Sequence, residues 1–226
     1  MVAQGLGGGG VLIAVLVVGA IAIGRRGGAD HLPPPGTPRP PPPPPPPPPP
    51  RGGTVPPEFV EALVTYALAD VDRVVETSPN RGPEIDRMLE YTGQAPGQNW
   101  CAAALSSWIR DASVESGIAA PARSAGARAL VDQLRAAGVV DWIPKASMPV
   151  GFIAPRGAIG LWDRSTRPGG WEAHVGVSEG RHADGPTWRS IEGNGPPSGD
   201  RVTWTLRTSD DPRLLGVAVW RTGVVA

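Results

Sequence analysis

His174-Val175-Gly176-Val177-Ser178 and Thr187-Trp188-Arg189-Ser190-Ile191-Glu192 carry the reading of the fold. Each is a short run rich in β-branched and aromatic residues, and the polar stretch holding His182 separates them. Runs of this kind bounded by turn residues predict strands. Working outward, similar runs occur at Val139–Ile143, Ala158–Asp163, Val202–Arg207 and Leu215–Arg221. The connections between them leave no room for crossover helices, so the pattern predicts an antiparallel meander.

Upstream the period changes. Pro57-Glu58-Phe59 opens a helix with proline in its first turn, and Phe59, Leu63, Val64, Ala67, Leu68, Val71, Val74 and Val75 follow a helical spacing. Asn80-Arg81-Gly82-Pro83 starts a short second helix with Ile85, Met88 and Leu89, ended by Gly93. After a loop at Gly97–Asn99, a third helix runs from Trp100 to about Ala112, with Ala104, Leu105, Trp108 and Ile109 on one face. Ser124–Ala137 reads as a fourth, with Ser124 as N-cap and Gly138 just past the end. Helices first and strands second is an α+β order: N-terminal helices packed on a C-terminal antiparallel sheet of about five or six strands.

The folded domain spans residues 55–226. Two other regions precede it. Residues 1–26 hold Gly5–Gly24, a stretch of 20 residues without a charge. At ~1.5 Å per residue such a helix just crosses a ~30 Å hydrocarbon core, so residues 5–24 are expected to enter a membrane. A signal peptide is the rival, with Ala20-Ile21-Ala22 as a small-residue cleavage site and no positive charge in Met1–Gln4. Arg25-Arg26 follow the apolar run, and by the positive-inside rule they favour a domain facing the cytoplasm. Residues 27–54 are a proline-rich linker. Pro40–Pro50 is 11 consecutive prolines, a polyproline II spacer of roughly 34 Å at ~3.1 Å per residue. A secondary reading is a ligand for an SH3- or WW-like proline-motif-binding domain.

Composition excludes several classes. Gly (31) and Pro (29) are about a quarter of the 226 residues, but the excess lies before Thr54. The formal net charge is zero with no basic block beyond Arg25-Arg26, so no nucleic-acid partner is expected. One Cys rules out an intramolecular disulfide framework and a cysteine-based zinc cluster. Three His without an HExxH string argue against a zinc hydrolase, and no GxxxxGK[ST] phosphate loop is present. No metal or cofactor is implied.

Cys101 is the single cysteine and falls at the start of the third helix. The positive end of the helix dipole favours its thiolate there. His174 is the one histidine within an expected strand, and an imidazole is the base such a nucleophile needs. Glu192 and Asn194 follow on the next strand, where a period of two would aim both at one face. A carboxylate or amide there can hold the imidazole in one tautomer. Taken singly, each has a plain structural alternative: a small buried Cys, a satisfied His, an exposed Glu, a turn Asn.

Together these strings resemble a known family. Ser78-Pro79-Asn80-Arg81-Gly82-Pro83-Glu84-Ile85-Asp86, Trp100-Cys101-Ala102-Ala103 with Trp108, Ala173-His174-Val175-Gly176-Val177 and Ile191-Glu192-Gly193-Asn194 stand in the order seen in the CHAP family. These are papain-like cysteine, histidine-dependent amidohydrolases/peptidases that cleave peptidoglycan in phage lysins, virion proteins and wall-remodelling enzymes. The resemblance covers about residues 57–222. It implies Cys101 as nucleophile, His174 as general base, Glu192 as the residue orienting the imidazole and Asn194 as an accompanying polar residue. Gln98 and Asn99 are oxyanion candidates beside the Cys101 backbone N–H. The family pattern has an acidic residue where Arg156-Gly157-Ala158 stands, and a wall-binding domain is absent from the pattern here.

The function so implied is an N-acetylmuramoyl-L-alanine amidase or an endopeptidase of peptidoglycan, membrane-anchored and facing the wall, or carried on a phage virion. Trp171 and Trp188 flank the His174 strand as candidate groove residues, and Trp108, Trp142, Trp162, Trp204 and Trp220 suit the core. An inactive CHAP-like structural or wall-binding module is the alternative. A cytoplasmic-facing cysteine hydrolase is a third reading, favoured by Arg25-Arg26.

Overall fold

A computed structural model describes residues 53–167, 170–183, 185–196 and 199–223. The apolar segment 5–24 and the proline run lie outside the described residues. Among those described, no helix is long and apolar enough to cross a membrane.

Four helices come first. Helix α1, Pro57–Asp70, has proline in its first turn and buries Phe59, Ala62, Leu63, Val64 and Ala67. Helix α2, Pro83–Tyr91, starts after Gly82 and buries Ile85, Met88 and Leu89. Helix α3, Cys101–Glu115, is buried continuously from Cys101 to Ile109, because alanines and serines let neighbours approach it on every side. Helix α4, Ala127–Ala136, begins later than the sequence suggests. Ser124 is not its N-cap: Gly126 holds that position, and Ser124 Oγ instead accepts a bond from Gly126 N–H at 3.0 Å. A short Ser turn precedes the helix and competes with its first turn for the same donors.

Six strands follow: β1 Val140–Pro144, β2 Ile159–Asp163, β3 Ala173–Arg181, β4 Thr187–Glu192, β5 Thr203–Thr208 and β6 Leu214–Trp220. They form one antiparallel sheet in the order β1-β6-β2-β3-β4-β5. The fold is therefore α+β. The simple meander holds only for β2 to β5, since β6 returns to lie between β1 and β2. Its composition explains the insertion. Ala218 and Trp220 join the core under the helices, while Leu214 and Val217 join a cluster on the other face. A strand apolar on both faces belongs inside a sheet, whereas β5, with Trp204 and Leu206 exposed, suits an edge.

The sheet thus has two cores. Helices α1, α3 and α4 pack on one face, over Ile159, Leu161, Val175, Val177 and Ile191. The other face carries Ala154, Ala158, Trp162, Trp188, Leu214 and Val217. Ala158 is buried there, a setting that suits a methyl group better than the acidic residue of the family pattern. Trp108, Trp162 and Trp220 are core residues as their settings suggest, but Trp142 is half-buried and Trp204 is exposed beside Arg189. Trp188 is buried and lines no groove; Trp171 is 77 % exposed.

Candidate active site

Cys101 is the first residue of α3 and is 5 % exposed. The chain reaches it through Trp100, whose indole N–H donates to Glu76 Oε1 at 2.9 Å. The second Glu76 oxygen accepts from the Asn80 N–H at 2.8 Å, so one carboxylate ties the loop before α2 to the start of α3. Burial pushes the Cys101 thiol up, but its contact with His174, the charges of His174 and Arg164, and the Val175 N–H outweigh that and hold it below the ordinary thiol range.

His174 is the second residue of β3 and Glu192 the last of β4, so the antiparallel pairing sets both at the same end of the sheet. His174 pairs with Trp162 across β2, on the face away from the helices. Its Nε2 lies 2.8 Å from Glu192 Oε2, and both residues are buried. Nδ1 makes no conventional hydrogen bond, which leaves it as the ring nitrogen available to the Cys101 thiol. Burial lowers the imidazole's proton affinity, yet Cys101 and then Glu192 raise it above its usual value overall. The result is a thiol held low beside an imidazole held high, the condition for a thiolate–imidazolium pair.

Glu192 is itself locked. Arg207 grips it with two bonds, Nε to Oε1 at 2.8 Å and Nη2 to Oε2 at 2.7 Å. The Arg207 guanidinium lies 4.3 Å over the Trp162 ring, and its Nη1 reaches Asp211 at 3.4 Å. Burial would raise the Glu192 carboxyl, but His174 and Arg207 bring it down to about 2. Two glycines make room for this cluster. A Cβ on Gly176 would stand 2.5 Å from Glu192 Cγ, and one on Gly193 would stand 2.6 Å from the Trp100 ring and 2.8 Å from Ala104. Gly193 therefore lets the end of β4 close onto the start of α3, which assembles the site.

Asn194 departs from expectation. It has left the strand, with φ of 53°, so it does not share a face with Glu192 by strand alternation. Its Nδ2 donates to Asn80 Oδ1 at 3.1 Å and to Asn99 Oδ1 at 3.5 Å. It braces the approach to Cys101 and makes no described bond to His174. Asn99 is thus brought to the site. Gln98 is exposed and no described contact ties it there. Arg207, Glu76, Asn80 and Arg164 were not legible as site residues, although Asn80 belongs to one of the quoted strings. Arg207 in particular reads as an ordinary strand residue until its partner is known.

Gly176-Val177-Ser178-Glu179-Gly180 fits the spacing of a serine nucleophile elbow. The context is wrong for one: Ser178 lies within β3, is buried, and donates to Ala154 O at 3.0 Å. Among the described residues, no group of three or more His, Cys, Asp or Glu is placed to hold a metal ion. No protein-family model matches this chain, and no curated protein is significantly similar to it.

Proposed function

We propose that the chain is a cysteine amidohydrolase of the CHAP type that cleaves an amide bond of peptidoglycan. One observation carries the reading: the buried relay Cys101, His174 and Glu192, with His174 Nε2 held 2.8 Å from a carboxylate that Arg207 clamps. A carboxylate buried for packing alone would be costly. Here it orients an imidazole whose free nitrogen serves the single thiol of the chain. That chemistry supports the class; peptidoglycan as substrate rests on the motif resemblance.

The Cys101 thiolate attacks the carbonyl carbon, and the imidazolium of His174 gives its Nδ1 proton to the leaving amine as the C–N bond breaks. Water then attacks the thioester, with neutral His174 taking its proton, and the acid product departs as the thiolate is restored. Developing negative charge on the carbonyl oxygen meets the Cys101 N–H at the start of α3, with the Asn99 amide as the second donor. Exposed Trp171, three residues before His174, offers a flat apolar lip to the substrate. The complete relay favours a working enzyme over an inactive wall-binding module.

The decisive test is release of new amines from purified peptidoglycan by the full chain and by Cys101→Ala. Release by the parent alone supports the proposal, and mass spectrometry of the fragments names an amidase or an endopeptidase. No release by either, across several wall types, overturns it. We further propose that residues 5–24 anchor the domain on the wall side or within a virion. A reporter fused after Gly53 that stays protease-protected in intact cells would contradict the wall-facing form.

A further inference from the structure

Arg164 directly follows β2 and is half-buried. Its N–H donates to Glu172 O at 3.0 Å, which fixes it across the β2–β3 hairpin two residues before His174. Its Nη2 donates to Asn194 O at 3.0 Å, and Asn194 in turn braces Asn99, two residues before the nucleophile. The guanidinium is therefore held between the base strand and the nucleophile loop. Its charge helps to hold the Cys101 thiol low.

Two arginines of this region have carboxylate partners. Arg207 pairs with Glu192 and Asp211, and Arg128 with Asp163. Arg164 has no carboxylate partner among the described residues, only one neutral carbonyl. A guanidinium has five N–H donors in a planar fork that matches a carboxylate. A half-buried cation with no counter-ion among the described residues, held near a nucleophile, is suited to pair with a substrate anion.

We infer that Arg164 binds a carboxylate of the substrate next to the scissile amide, so that the enzyme selects stem peptides with a free acid there over their amidated forms. The inference deepens the peptidoglycan reading and rests on it for the identity of the substrate, but not for the carboxylate preference itself.

The test uses the single thiol of the full chain. Iodoacetate carries a carboxylate and iodoacetamide its neutral counterpart, and both alkylate Cys101. The ratio of their rates should fall by roughly tenfold in Arg164→Gln, the size expected for one charge-assisted bond, and partly recover in Arg164→Lys. In the unaltered protein, N-acetyl-D-alanine should slow alkylation by iodoacetamide while its amide does not, which needs no variant to fold. An unchanged ratio together with no protection by the acid overturns the inference. If peptidoglycan is cut but the ratio is indifferent to Arg164 and the acid gives no protection, this inference falls alone. If the ratio and protection respond but no amine is ever released, the hydrolase reading falls and Arg164 remains an anion receptor.

Discussion

On the helical side of the sheet, Cys101 is held by apolar packing: Trp100, Ala102, Ala103, Ala104 and Leu105 around it are all buried. On the opposite face, His174 is held by charge, through Glu192 and through Arg207, which also pairs with Asp211 and lies over Trp162. Packing positions a helix to a few tenths of an ångström without demanding any one partner. A buried ion pair demands its partner, because a lone charge there is severely penalised. The nucleophile side should thus tolerate conservative change, and the base side should not.

The largest effect expected is loss of amine release by at least ~10⁴-fold in Cys101→Ala, with thermal unfolding nearly unchanged. That outcome would separate the chemistry of Cys101 from its packing. Next comes Arg207→Met. It leaves Glu192 buried with one partner, so chemical denaturation should reveal a loss of about 3–5 kcal/mol, and activity should fall with it. Equal tolerance of Arg207→Met and Cys101→Ala in unfolding experiments would erase the contrast between the two faces.

The pH dependence sharpens the same contrast. Glu192 is depressed from its ordinary value of 4.5 to about 2 in the folded protein. A depressed carboxylate stabilises the fold above the unfolded pKa, and that stability is lost as pH falls from about 4.5 toward 2. Acid titration followed by circular dichroism should place the loss in that window, and Arg207→Met should move it upward. For activity, the lowered Cys101 and raised His174 widen the interval in which the ion pair exists. The profile of kcat/KM should rise through the first and decline through the second.

Smaller effects belong to the nucleophile side. Asn194→Ala removes two neutral hydrogen bonds to Asn80 and Asn99, so a loss of about 1–2 kcal/mol is expected in thermal or denaturant unfolding. Its rate loss should be smaller than that of Arg207→Met. Smallest of all, EDTA should alter hydrolysis by less than about twofold, because the proposed steps use no metal. A larger loss restored by added Ca²⁺ would reveal an ion site.

Much of the α+β order was legible because each element carries its own period. Phe59, Leu63 and Ala67 mark a helix, and the runs at Val175 and Ile191 mark strands, whatever else the chain does. Cys101 and His174 stood out because each is scarce and falls at an element's start. The return of β6 between β1 and β2 was not legible, because strand order depends on which face of each strand finds a partner. Ser124 as a cap yielded to a competing turn with Gly126, and Trp188 as a groove residue yielded to neighbours distant in sequence.

The sequence by itself determined the succession of helices and strands, and the residue types from which a thiol nucleophile and its base can be made. Local periodicity and side-chain chemistry are properties of short segments, so they can be read there. Only the tertiary structure decided that Glu192 is clamped by Arg207, that Asn194 serves Asn80 and Asn99, and that Arg164 reaches the Asn194 carbonyl with no carboxylate partner among the described residues. The physical reason is that electrostatic pairing acts through space. An arginine 15 positions from its carboxylate becomes a partner only when the β4–β5 pairing brings the two side chains together and excludes water from both.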